Sequence, residues 1–177
     1  MDTARMAFMF AIAFAFAAAA AQQVPQSQID TVDTTADRAM ALYYMDPWVG
    51  TWNLNVEKSK FSPGPPLKGG KARIQLYGDG IKCILDPVSA DGETRHGEWM
   101  AQYDGKDSPA AMEPYADSVS IRKTGSNTLE TVYKKQGKRI LTEKWTVPRN
   151  RKYLIVSQGE ENPAGKGFHN ILVYEKE

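Results

Sequence analysis

Thr128–Val147 reads TLETVYKKQGKRILTEKWTV, and this stretch decides the fold class. In its first half Leu129, Thr131 and Tyr133 alternate with Thr128, Glu130 and Lys134. In its second half Leu141, Trp145 and Val147 alternate with Thr142, Lys144 and Thr146. A period of two places each set on one face of an extended strand, whereas a helix needs its apolar residues three and four apart. Between the halves stands Gln136-Gly137, and glycine accepts the positive φ that tight hairpin turns demand. The stretch therefore reads as a half-buried antiparallel hairpin. One residue is out of character: Glu143 falls on the apolar face, between Leu141 and Trp145.

The same signature repeats outward in both directions. Asp79-Gly80, Asp91-Gly92, Asp104-Gly105, Gly125-Ser126-Asn127, Arg149-Asn150 and the Asn162–Gly167 loop recur at intervals of about a dozen residues, as hairpin-linked strands require. Between them Trp52, Leu54 and Val56, then Ala72, Ile74 and Leu76, then Trp99, Ala101 and Tyr103, and then Val119 and Ile121 mark one face of successive segments. About nine strands are expected, at 50–57, 71–77, 80–86, 93–103, 117–123, 127–135, 138–147, 152–158 and 168–175. The last two are apolar on both faces and harder to orient. No long helical pattern separates the strands, so parallel crossovers are excluded. A meander of this length removes its open edges by closing into an up-and-down barrel of about 8–10 strands, with first and last strands paired. A two-layer sandwich is the other solution, but it needs more long crossing connections than the chain offers.

Three segments are expected. Residues 1–21 read as a signal peptide: a short apolar run from Ala7 to Phe16 passes into Ala17–Ala21, with Ala19-x-Ala21 before Gln22 as a cleavage site. Residues 22–45 read as a polar linker, with a possible short helix over Thr34–Tyr44. Residues 46–177 form the β domain. The expectation is thus an exported protein, periplasmic or extracellular, with no membrane span left after cleavage. The formal net charge is +1, and removing Arg5 with Asp2 leaves it unchanged, so nothing in the charge argues for nucleic acid. The single cysteine, Cys83, cannot form an intramolecular disulfide. It alternates with Ile81 and Leu85 and is expected to be buried and inert.

The opening of the β domain carries a family resemblance. Asp46-Pro47-Trp48-Val49 followed by Gly50-Thr51-Trp52-Asn53-Leu54-Asn55 resembles the start of the calycin superfamily, the lipocalins and fatty-acid-binding proteins, whose first strand has a G-x-W pattern after a short 3₁₀ turn. GTWNLNVEKSKF, the DGKD segment at Asp104–Asp107 and the strand at Asp117–Ile121 also resemble a group of small exported lipocalin-like bacterial proteins of unassigned role. The resemblance implies that Trp52 plugs the closed end of a barrel and that Gly50 lets the chain approach it. It also implies that the loop with Phe61 and Leu67, stiffened by Pro65-Pro66, lies over the barrel mouth as a lid; a connector crossing the barrel end is the other reading. The departures matter. Lipocalins stack an arginine on the motif tryptophan from beyond the last strand, but after Arg151 this chain has only lysines: Lys152, Lys166 and Lys176. The inward arginine and tyrosine of fatty-acid-binding proteins have no clear counterpart, so the fold carries over without the ligand.

Chemistry is sparse. The two histidines, His96 and His169, are far apart in sequence, and no third ligand is spaced for a metal site. No nucleophile–base arrangement and no phosphate loop can be argued, so neither an enzyme nor a cofactor is expected. A catalytic reading would require His96 or His169 beside a carboxylate in a pocket. His96 and Glu98 are expected to face solvent, opposite Trp99. The candidate ligand-binding residues are Trp99, Tyr103, Tyr133, Glu143 and Trp145, an aromatic set suited to a small apolar ligand, with Glu143 placed to orient a polar or cationic group. The same residues also serve a filled core, and a barrel of this size does either. Two functions stand open: an exported carrier of a small apolar molecule, and an exported interaction or inhibitor-type module that binds an unknown protein partner through its loops.

Overall fold

The computed structural model describes residues 46–112, 114–159 and 169–177. The expected signal peptide, the 22–45 linker and the Asn162–Gly167 turn lie outside the described residues. Those described form ten strands: β1 (Gly50–Leu54), β2 (Gly69–Tyr77), β3 (Gly80–Val88), β4 (Gly97–Gln102), β5 (Ser108–Met112), β6 (Ala116–Gly125), β7 (Thr128–Lys135), β8 (Lys138–Thr146), β9 (Tyr153–Gly159) and β10 (His169–Lys176). Each pairs antiparallel with its sequence neighbour, and β1 pairs with β10 through Trp52↔Lys176 and Leu54↔Tyr174. The sheet is a closed barrel with no free edge, so the open-edge problem of a long meander is solved by closure.

Alternation sets the two faces as the sequence suggested. Ala72, Ile74, Ile81, Cys83, Trp99, Ala101, Val119, Ile121, Leu129, Thr131, Tyr133 and Trp145 are all buried inside. On the two ambiguous segments Leu154 and Val156 of β9, and Leu172 and Tyr174 of β10, point inward.

Several details differ from the sequence reading, β4 beginning at Gly97 rather than residue 93 among them. First, β5 lies within what read as a connection from Lys106 to Ala116. Ser-Pro-Ala-Ala-Met offers a proline, two alanines and no β-branched residue, so it carries no strand signal. It is held by its neighbours instead, through Trp99↔Ala110 and Ser108↔Val119. Second, the first hairpin turn is Gly78-Asp79, one residue earlier than expected, with Gly78 at φ 55°. Gly80 is a strand residue, and a Cβ there would lie 1.9 Å from the Ala101 carbonyl oxygen, so no other side chain fits. Third, β1 ends at Leu54 rather than residue 57. The Asn55 side chain accepts from the Lys58 N–H at 2.9 Å and turns the chain out of the strand.

In a meander, successive connections alternate between the two ends. The turns after β2, β4, β6 and β8 share one end with residues 46–49, and this end is closed by a packed polar and aromatic plug. Trp48 and Trp52 are fully buried. The Trp52 indole donates to the Trp48 carbonyl at 2.7 Å. The Trp48 indole donates to the Tyr103 hydroxyl at 2.7 Å, and that hydroxyl donates to Asp46 at 2.9 Å. Lys123 closes on the other Asp46 oxygen and lies 4.1 Å over the Tyr103 ring. Burial, reinforced by the Asp46 charge, pushes the Tyr103 hydroxyl far above its ordinary pKa, against the Trp48 donation.

The seat of the missing arginine is taken by Lys176. Its ammonium lies 5.2 Å over the Trp52 ring and donates to the Val49 carbonyl at 3.3 Å. Gly50, at φ 141°, makes the room, because a Cβ there would meet Lys176 Cε at 2.9 Å. Partial burial, with the Arg151 charge behind it, lowers the Lys176 pKa. A largely exposed cation over an aromatic ring contributes about 0.5–1 kcal/mol.

Candidate functional site

Above the plug the barrel is not filled. A cavity of about 550 Å³ occupies its other half, within the range that small-molecule sites use. Its walls are the inward residues of β2, β3 and β7–β10: Ala72, Leu85, Tyr133, Leu141, Trp145, Leu154, Val156, Leu172 and Tyr174. Its mouth is made by the opposite set of connections. Phe61, Pro65 and Leu67 come from the β1–β2 loop, Ser89, Arg95 and His96 from the β3–β4 loop, Met112 from the end of β5 and Tyr115 from the turn after it. Tyr115 is one of few exposed large apolar residues and carries Arg95 5.5 Å above its ring.

Glu143 sits inside, 5 % exposed, and lines this cavity. Its placement follows from strand period alone, since Trp145 two residues on shares its face. The Trp145 indole donates to one carboxylate oxygen at 2.7 Å, and the Tyr133 hydroxyl donates to the same oxygen at 3.3 Å. The Gln158 amide donates to the other oxygen at 2.7 Å. Burial raises the Glu143 pKa, and the three donors, Gln158 foremost, hold the rise back. The groups that feel its charge are Cys83, Tyr133 and Tyr174. All three are pushed above their ordinary values, chiefly by burial and next by Glu143. Cys83 is accordingly a buried, protonated thiol.

The polar line continues to the mouth. The Asn170 amide donates to the Gln158 carbonyl oxygen at 3.2 Å, and Asn170 in turn accepts from the Ser62 backbone N–H at 2.9 Å. The β1–β2 loop is tied to β10 beside this point, through reciprocal backbone bonds between Lys60 and Ile171 and one from His169 N–H to the Ser62 carbonyl. The loop bearing Phe61 and Leu67 is thus anchored along β10 and also edges the opening.

The expected aromatic set divides. Tyr133 and Trp145 line the cavity. Trp99 packs behind them, 6.4 Å from Tyr133 and 6.0 Å from Trp145 between ring centroids. Its indole N–H has no hydrogen-bond partner among the described residues, although it lies close enough to the Tyr133 hydroxyl to moderate that group's titration. Tyr103 belongs to the closed-end plug and does not reach the cavity. Gln158, Asn170 and Tyr174 were not singled out from sequence. Their signal was there once Leu154, Val156 and Leu172 had been oriented, because a period of two carries the same face onward to them.

At the rim His96 is 60 % exposed, with Nδ1 2.7 Å from the Asp86 carboxylate. That same Asp86 pairs with Arg73 at 3.0 Å. Glu98 points outward to Lys82 at 2.8 Å. The His–carboxylate pair that a catalytic reading required does exist at the rim. The serine on the lining, Ser89, is committed to Asp91 and the Glu93 carbonyl at 2.8 and 2.9 Å. Among the described residues no group of three or more His, Cys, Asp or Glu is placed to hold a metal ion.

A closed ten-strand meander that opens with Gly50-Thr51-Trp52, is capped at one end by tryptophan and is hollow toward the other defines a calycin-like barrel. No family model and no curated protein matches the chain. Among solved structures, the zebrafish ileal bile acid-binding protein complexed with cholic acid is similar with a TM-score of 0.49 and 13 % sequence identity, over 75 % of this chain and 100 % of that chain.

Proposed function

We propose that this protein is an exported binding or carrier protein that takes one small, largely apolar molecule into its barrel. The observation that carries the reading is the cavity of about 550 Å³, walled by aliphatic and aromatic side chains and reached through a mouth of loops. Apolar walls give affinity without direction, and the few polar groups on them fix orientation. A module that uses only its loops on a protein partner needs no cavity and is better served by a filled barrel, so the open interior favours the carrier. Export rests on the alanine-rich leader of residues 1–21.

The test is native mass spectrometry of the protein purified gently from its own host, followed by thermal melts with apolar compounds. A discrete extra mass that is lost on denaturation supports the reading. So does a rise in Tm: a ligand at 100 times its Kd adds about 2.7 kcal/mol, or several degrees for a domain of this size. A clean apo mass with no thermal shift across the panel would overturn it.

A further inference from the structure

We propose that the ligand is an amphiphile with a protonated amine, which enters the cavity and pairs with the Glu143 carboxylate. This rests on the carrier reading and narrows it. Among the described residues Glu143 is the one acidic side chain on a wall that is otherwise mostly apolar. Its surroundings are built for an anion, and the direction of every bond can be fixed. A backbone N–H only donates, so Ser62 obliges Asn170 to present its oxygen there and its NH₂ to Gln158. Gln158 must then present its carbonyl to Asn170 and its NH₂ to Glu143. The Trp145 indole also only donates. Both Glu143 oxygens are thereby required to accept, which the ionised carboxylate does and the protonated one does on only part of its surface.

No cation among the described residues answers this charge. Of those on the lining, Lys71 is bonded to Glu177 at 3.2 Å and Arg95 lies over Tyr115 at the mouth. The titratable groups facing Glu143 are Cys83 on β3, Tyr133 on β7 and Tyr174 on β10, all neutral. From β8 and β9 its hydrogen-bond partners among the described residues are Trp145 and Gln158. A carboxylate offers about four lone-pair sites, and three donors occupy this one, so one remains toward the cavity. A buried charge with hydrogen bonds but no counter-charge is costly. A ligand ammonium supplies both the counter-charge and the fourth donor, while its apolar body covers the walls. A carboxylate-bearing ligand would instead bring two negative charges together.

The experiment is calorimetric titration of the full chain with decylamine, decanol and decanoate, which share a chain and differ in headgroup. The expected result is at least tenfold tighter binding of decylamine than of decanol, and no saturable binding of decanoate. In Glu143→Gln the amine's advantage should fall to within about threefold while decanol affinity is kept. Because that substitution perturbs a buried network, wild type is also titrated against pH. None of the three facing groups ionises in acid, so decylamine should lose its advantage over decanol as pH falls through the Glu143 titration. Decanol or decanoate binding as tightly as decylamine, or an amine preference that survives both Glu143→Gln and acid, overturns the proposal and leaves the carrier reading standing. Failure of all three compounds to bind overturns both.

Discussion

The two ends of this barrel solve opposite problems with similar residues. At the closed end Trp48, Trp52 and Tyr103 are locked by a chain of hydrogen bonds that ends on Asp46, and Lys123 and Lys176 lie over the rings of Tyr103 and Trp52. Every polar atom on that path has a partner. At the open end Tyr133, Trp145 and Tyr174 line the cavity, and the one charged group among them has three donors but no counter-ion among the described residues. The difference separates stability from function. The plug holds the fold, while the other half has the room and the polarity that the proposed ligand would use.

The division is most easily broken at the plug. Trp52→Ala should destabilise the protein by about 3–5 kcal/mol, the usual cost of deleting a fully buried tryptophan, read as a lower urea midpoint with an unchanged slope. A loss below 1 kcal/mol would mean that the closed end is not what holds the barrel. Asp46→Ala comes next, at about 1–3 kcal/mol, because it removes the acceptor of the half-buried Tyr103 hydroxyl. Lys123 is 41 % exposed and can turn to water, which limits the cost. Affinity of correctly folded Asp46→Ala for apolar compounds should be unchanged, since no plug residue lines the cavity.

The open end should instead reveal itself through pH. A carboxyl whose folded pKa is raised above its unfolded one binds its proton more tightly in the folded chain. Stability is then fullest below the unfolded value and is lost as pH rises through the folded one. Glu143 is such a group. Asp91, Asp104, Asp117 and Glu175 have lowered values and push the other way, so the test is a difference. Tm of wild type minus Tm of Glu143→Gln, without ligand, should fall as pH rises from about 4.5. A difference that is flat or rises with pH would mean that the carboxylate is already compensated. The smallest effect is expected at Asn170→Ala. That change should cost roughly 1 kcal/mol or less but speed hydrogen exchange at the Ser62 amide, which loses its acceptor. An unaltered exchange rate would show that the loop over the mouth is held without the polar line from Glu143.

Much of this was legible in the sequence, and the rest was hidden for identifiable reasons. Period-two alternation places Tyr133, Glu143 and Trp145 inside correctly, because strand geometry leaves no other face. It says nothing of height along the barrel axis. That is why Trp99 and Tyr103 looked equivalent to Trp145 and yet sit behind the cavity and at the opposite end. β5 was invisible because its pairing is imposed by β4 and β6 and not by its own Pro109, Ala110 and Ala111. Lys176 was read as a missing arginine, since only the closed β1–β10 pairing shows that its chain reaches Trp52. Whether the interior is full or hollow was unreadable in principle, as the same inward residues serve both.

The most direct test uses the four tryptophans as reporters. A spectrum of ¹⁵N-labelled protein resolves one indole N–H signal from each, and a neutral apolar compound such as decanol is titrated in. The account predicts a large saturable shift of the Trp145 signal, which lines the cavity and is bonded to Glu143, and unmoved signals from Trp48 and Trp52 in the plug. A Trp145 signal that stays fixed at saturating compound, or shifts centred on Trp48 and Trp52, would contradict it.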